Sequence, residues 1–144
     1  LSGGMYPVSA VLARDEIMLT IKPGQHGSTY GGNPLACKVA TEALKVLVDE
    51  GLVENSAKLG TLLGEELAKL PKEMVSKTRG KGLFQAIVIN EKYNAWEVCL
   101  KMRDNGLLAK NTHGDTIRFA PPLVITEPQL RECIGIIRQS FEAF

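Results

Sequence analysis

The stretch His26-Gly27-Ser28-Thr29-Tyr30-Gly31-Gly32-Asn33-Pro34 stands directly before the most strongly helical run of the chain. Asn33 is a good N-cap, and Pro34 suits the first position of a helix. The loop therefore opens onto the positive end of a helix, where hydroxyl and backbone N–H groups favour an anion. An ordinary turn is the competing interpretation, since the spacing matches neither the Walker nor the dinucleotide motif.

The helix that follows is predicted over residues 34–50, because apolar side chains recur there every three or four positions. Leu35, Val39 and Val46 widen its apolar side, so we expect much of this helix to be buried. Upstream of the loop, residues 6–12 are predicted to form a strand, and residues 15–18 a helical turn.

Residues 51–144 predict a small α/β layer, in which a sheet is covered by amphipathic helices. Helices are expected over residues 52–70, 95–105 and 126–141, and strands over 83–89, 107–109 and 116–120. Thr126 and Gln129 have the spacing of a capping box at the start of the last helix.

The composition is that of a globular protein with balanced charge. Of the 144 residues, 44% are hydrophobic, and 17 basic against 16 acidic residues leave a net charge of +1. Neither a nucleic-acid nor a membrane-surface partner is indicated by that balance. The three cysteines lie far apart, so neither a disulfide framework nor a metal site is predicted. Because the chain starts at Leu1 and not at methionine, we expect it to be a piece of a longer protein.

Arg118 is the best single candidate for binding chemistry. It is predicted to lie on the strand face opposite Ile117 and Phe119. A guanidinium there could hold a carboxylate through two parallel hydrogen bonds. The alternative is a solvated arginine on an outer strand face.

Other polar residues have plainer interpretations. His26 and His113 each stand beside a glycine in a predicted loop, where a polar loop residue is the more ordinary interpretation than an acid–base group. Arg79 and Lys81 flank Gly80 and are predicted to be solvated charges in a turn. No motif supplies a nucleophile together with its base.

Five stretches, in the same order along the chain, resemble the C-terminal part of a class III aminotransferase. They are SGGMYPVSA at 2–10, HGSTYGGNPLAC at 26–37, RGKGL at 79–83, GLLAK at 106–110 and IRFAPPL at 117–123. The resemblance implies the fold-type-I architecture of the pyridoxal-phosphate enzymes, an α/β fold. Residues 1–50 would be the end of the large cofactor-binding domain with a linking helix, and residues 51–144 the small C-terminal α/β domain.

The resemblance also implies an activity and partners. The enzyme would use pyridoxal 5'-phosphate to transfer the side-chain amino group of ornithine to 2-oxoglutarate, in a homodimer or higher homo-oligomer of the mitochondrial matrix or cytoplasm. Transfer from acetylornithine or another ω-amino substrate stays open, as does a truncated module without catalysis.

Individual residues take roles from the same resemblance. Thr29, with Ser28 beside it, would reach the cofactor phosphate of the neighbouring subunit, and Arg118 would bind a substrate carboxylate. The lysine that forms a Schiff base with the cofactor would lie before Leu1, so this segment alone would be inactive. Asn111 stands where relatives often have proline, and we expect little consequence.

Overall fold

A computed structural model describes all 144 residues, which divide into two compact units, Leu1–Glu50 and Gly51–Phe144. The helices are α1 Asp15–Met18, α2 Pro34–Asp49, α3 Leu52–Leu67, α4 Ala95–Asp104 and α5 Glu127–Phe141. The strands are β1 Val75–Lys81, β2 Phe84–Ile89, β3 Lys110–Thr112 and β4 Thr116–Phe119. No helix has both the length and the apolar character needed to cross a membrane.

The first unit contains the predicted loop and the helix that follows it. The Asn33 side chain accepts a hydrogen bond from the Ala36 N–H at 2.9 Å, and Pro34 occupies the first helical position. The predicted cap is therefore confirmed. The strand predicted over residues 6–12 is wrong: those residues are irregular, since this unit offers no second strand with which they could pair.

The expected burial of α2 is also wrong within this chain. Only Ala36 and Ala40 are buried, whereas Leu35, Leu44 and Val46 are exposed. The rest of this unit is mostly loop, which gives the apolar side of the helix little surface to pack against.

The second unit is a four-stranded antiparallel sheet in the order β1-β2-β4-β3. The turn predicted at Arg79 and Lys81 is wrong, because both residues lie on β1. Edge strands commonly carry such cations, which discourage pairing with another chain. The strand predicted at 107–109 instead lies at Lys110–Thr112. Leu107 still donates its N–H to the Met102 carbonyl at 2.8 Å, so Leu107 takes part in the hydrogen bonding that ends α4.

Helices α3, α4 and α5 pack on one face of the sheet around a single core. Leu59, Ile87, Val98, Ile117 and Leu130 are at most 2% exposed. Each such side chain contributes about 1.5–3 kcal/mol through burial. The start of α5 follows the prediction, since the Thr126 N–H donates to Gln129 Oε1 at 3.0 Å. The opposite face of the sheet carries none of these three helices, and it presents the side chain of Arg118.

Candidate functional site

Arg118 lies on the helix-free face of the sheet, as the alternation of β4 predicted. Its neighbours Ile117 and Phe119 are buried in the core, while Arg118 itself is exposed. Register places Arg118 opposite Ala86 of β2 on one side and opposite Lys110 of β3 on the other. Arg79 of β1 pairs in turn with Ala86, so one row across the sheet carries three cations.

The cations of this row have no acidic partner within the chain. Arg79, Lys110 and Arg118 form no ion pair, whereas Arg131 is paired with Glu127 at 2.7 Å. Like charges on neighbouring strands repel each other, and an anion bound between them relieves that repulsion. The row is therefore electrostatically suited to a carboxylate or phosphate.

A cavity of about 390 Å³ opens beside Arg118. Its lining combines the apolar Leu108 and Ala120 with the polar Lys110 and Thr112. Most of its lining residues are polar, and polar groups that converge on a cavity can fix the orientation of a small molecule. The cavity could hold the stem of a small carboxylate while Arg118 and Lys110 face its charge.

Phe84 is the residue of this face that sequence reasoning missed. The Arg118 Cζ atom lies over the Phe84 ring, 5.7 Å from its centroid. The two residues are 34 positions apart, and only the pairing of β2 with β4 makes them neighbours. The one available signal was an aromatic residue at the start of a predicted strand.

The glycine loop forms the second candidate site, within the first unit. Ser28 Oγ accepts from the Gly31 N–H at 3.2 Å, so the hydroxyl proton of Ser28 remains available to a ligand. Thr29 is exposed, and its hydroxyl has no hydrogen bond within the chain. A cavity of about 480 Å³ is lined by Ser28, Tyr30 and Gly31 among others. Thr29 does not line it. This set of free hydroxyl donors before a helix fits a phosphate.

Both histidines lie in loops, as their glycine neighbours predicted. His113 has a φ of 53° and is followed by Gly114 in the turn between β3 and β4. The Asn111 side chain, at the position noted above, donates to the Gly114 carbonyl at 3.1 Å and braces this turn. His26 is an exposed residue of the glycine loop. No three His, Cys, Asp or Glu side chains lie together in a way that could hold a metal ion.

Comparison with known proteins places the chain in a family. The pattern of the family "Aminotransferase class-III" matches residues 1–141, which is nearly the whole chain. The chain belongs to the class III aminotransferases, whose α/β fold it shares.

Relatives within that class are named for their substrates. "Ornithine aminotransferase, mitochondrial" of Drosophila melanogaster is 68% identical over 140 residues, covering 97% of this chain and 32% of the relative. The solved acetylornithine aminotransferase of Elizabethkingia anophelis is 57% identical with a TM-score of 0.90, covering 99% of this chain and 39% of that one. The solved ornithine aminotransferase of Toxoplasma gondii is 42% identical with a TM-score of 0.91, covering 99% and 35%. That structure has partial occupancy of PLP at its active site.

The chain thus spans about a third of the length of the curated relatives it matches. Its similarity to them is high throughout, but two thirds of each relative has no counterpart in these 144 residues.

Proposed function

We propose that this chain is the C-terminal third of an ornithine aminotransferase. The whole enzyme transfers the side-chain amino group of ornithine to 2-oxoglutarate, giving glutamate semialdehyde and glutamate. The observation that carries the proposal is the exposed Arg118, which has no acidic partner in this chain, beside a cavity of mixed polar and apolar lining, in a chain 68% identical to a protein of that name. Residues 1–50 belong to the end of the large domain with its linking helix, and residues 51–144 form the small domain.

Arg118 binds a substrate carboxylate, a group that both ornithine and 2-oxoglutarate carry. Its guanidinium offers N–H donors in a fork that matches a carboxylate, and no acidic side chain of this chain occupies them. Lys110, in register on β3, adds a second positive charge on the same face. Binding the carboxylate in one orientation presents the rest of the substrate to the reacting centre.

The role of Arg118 is tested by Arg118→Gln in the full-length enzyme, with Arg118→Lys as the matched variant that keeps the charge. Loss of a charge-assisted bidentate contact should raise KM for ornithine and for 2-oxoglutarate by about 10- to 100-fold. Arg118→Lys should fall between wild type and Arg118→Gln. Unchanged kinetics in Arg118→Gln would overturn the assignment.

Thr29 and Ser28 hold the phosphate of pyridoxal 5'-phosphate. When bound, that cofactor supplies the electron sink for amino-group transfer. The hydroxyl protons of both residues are free within the chain, and a phosphate oxygen accepts hydrogen bonds from such donors.

The expected loss in Thr29→Ala is about tenfold in cofactor affinity, measured by equilibrium dialysis of the full-length protein. Thr29→Ser keeps the hydroxyl and should bind nearly as wild type. Equal losses in the two variants would contradict the role of the hydroxyl.

Thr29 serves the neighbouring subunit of a homodimer. Hybrid dimers test this directly: one chain carries Thr29→Ala, and the other carries a substitution of the cofactor-binding lysine, which lies outside this segment. If Thr29 acts across the interface, each hybrid contains one intact site and regains about half of the activity. If Thr29 acts within its own subunit, one site lacks the lysine and the other binds the cofactor weakly, so at limiting cofactor the hybrid should be no more active than Thr29→Ala.

A second candidate is acetylornithine aminotransferase, since a solved protein of that name is 57% identical. Parallel assays of ornithine and N-acetylornithine separate the two candidates, and we expect the higher kcat/KM with ornithine.

For location we propose the mitochondrial matrix, because the fly relative is named mitochondrial. Imaging of the tagged full-length protein tests this, and a cytosolic signal would contradict it.

A further inference from the structure

Phe84 and Arg118 are diagonal neighbours on the free face of the sheet. Ala86 pairs with Arg118, and Phe84 lies two residues before Ala86 on the same face of β2. Diagonal positions of an antiparallel pair lie within reach of aromatic and long side chains. The small Ala86 leaves the space between them open. Arg118 Cζ accordingly lies over the Phe84 ring, 5.7 Å from its centroid.

The ring is the one side chain of this chain with a specific contact to the Arg118 guanidinium. Arg103 and Arg131 each direct two nitrogens at a neighbouring carboxylate, Asp104 and Glu127 respectively. Arg118 donates no hydrogen bond to any residue of the chain. Attraction to an aromatic face acts through the ring quadrupole and uses no N–H donor. All five N–H donors of Arg118 therefore remain available to a ligand.

Repulsion between the cations of the row makes the orientation of Arg118 depend on its contact with Phe84. Lys110 stands directly opposite Arg118, and like charges in that position repel each other. No carboxylate of the chain neutralises either cation. Repulsion from Lys110 and attraction to the Phe84 ring both favour the side of Arg118 that faces β2. Without Phe84, repulsion alone would leave the Arg118 side chain several rotamers. The ring holds the guanidinium toward β2, while Arg118 itself lines the cavity on the β3 side of β4.

We propose that Phe84 is a positioning residue for Arg118 and thereby sets the affinity for the substrate carboxylate. The inference rests on the proposed role of Arg118 in binding the carboxylate, and it concerns the residue that orients the Arg118 guanidinium. Phe84 is 56% exposed and faces away from the core. Its replacement by another apolar side chain should therefore leave the fold intact, so that a kinetic effect can be read separately from stability.

The experiment compares Phe84→Leu and Phe84→Tyr in the full-length enzyme. Phe84→Leu keeps apolar volume but removes the ring, and should raise KM for ornithine and 2-oxoglutarate about threefold to tenfold with kcat within twofold of wild type. Phe84→Tyr keeps the ring and should stay within twofold in KM. At saturating 2-oxoglutarate, kcat/KM for 1,4-diaminobutane, which lacks the carboxylate, should not change in either variant. Trp96→Leu removes another half-exposed aromatic, on α4, and is the matched control with unchanged KM.

The outcomes separate this inference from the proposed function. If Arg118→Gln raises KM but Phe84→Leu does not, the positioning role is wrong and the carboxylate site stands. If neither variant changes KM, the role of Arg118 fails and the inference fails with it. If Phe84→Leu impairs 1,4-diaminobutane equally, the ring acts on structure in general and the inference is overturned. In support of the inference, Phe84→Leu should cause no further rise in KM when Arg118 is already replaced by Gln.

Discussion

Gly60 of α3 and Gly82, which joins β1 to β2, are in direct backbone contact. A Cβ atom on Gly60 would lie 2.1 Å from the Gly82 carbonyl carbon, closer than real atoms approach. The Gln85 side-chain amide donates to the Gly82 carbonyl at 2.8 Å, and Ser56 Oγ accepts from the Leu83 N–H at 3.1 Å. This contact holds the start of β2, and therefore Phe84, in a defined position on the sheet.

The contact predicts opposite effects for two alanine substitutions on the same helix. Gly60→Ala must displace backbone and should destabilise the small domain by about 3 kcal/mol. Gly64→Ala meets no atom closer than 3.7 Å and should stabilise α3 by up to about 1 kcal/mol through helix propensity. Thermal unfolding midpoints of the two variants provide the measurement. Similar shifts in both would refute the close contact.

Asn55 connects α3 to the segment that leaves β4. Its Nδ2 donates to the Leu123 carbonyl at 2.8 Å and to the Ile125 carbonyl at 3.1 Å. Asn55→Ala leaves both acceptors without this partner and should lower stability by about 1–2 kcal/mol, measured by denaturant unfolding. Thr61→Ala is the matched control, because the Thr61 hydroxyl bonds only within α3. We expect little or no loss there, and an equal loss would contradict the connecting role of Asn55.

Glu127 makes the start of α5 sensitive to acid. Hydrogen bonds from Arg131, with its charge and that of Lys58, hold the pKa of Glu127 below its ordinary value of 4.5. A lowered pKa in the folded state means that the stabilisation is present above pH 4.5 and is lost as the pH falls through the lowered value. Glu127→Gln should therefore lower the thermal midpoint near pH 7 and converge with wild type in acid.

Arg131 provides the control for this pH effect. Arg131→Gln should reproduce the loss near pH 7, and the double variant should be no worse than either single one, because they break one interaction. A difference between wild type and Glu127→Gln that persists unchanged at pH 3 would show that the carboxylate charge is not responsible.

Cys99 is predicted to be an unreactive thiol. It is 2% exposed, and burial raises its pKa above the ordinary value of 9.0, with partial opposition from the Asn111 backbone N–H. Because the thiolate is the reactive form, Cys99 should react with a disulfide reagent at pH 8 at least tenfold slower in the native protein than in denaturant. Cys99→Ala should remove this slow phase alone. Retention of the slow phase would assign it to another cysteine.

Features that depend on neighbouring residues in the chain were predictable. The start of α2 follows from Asn33 and Pro34, and that of α5 from Thr126 and Gln129, since a cap and its helix lie within four residues of each other. The outward direction of Arg118 follows from the alternation of β4. The failures concern partners distant in sequence: residues 6–12 have strand composition but no strand to pair with, and β1 forms because β2 pairs with it.

The sequence by itself determined the family and the chemical character of both candidate sites. Motifs and the types of hydrogen-bond donor can be recognised from short stretches of consecutive residues. Tertiary structure alone decided which side chains surround Arg118. The antiparallel register brings Lys110 opposite it and Phe84 under its guanidinium, although one is 8 and the other 34 positions away. Register is a property of paired strands, set jointly by the buried face, the bulge in β1 and the contact of Gly60 with Gly82. No short stretch of the chain encodes it alone.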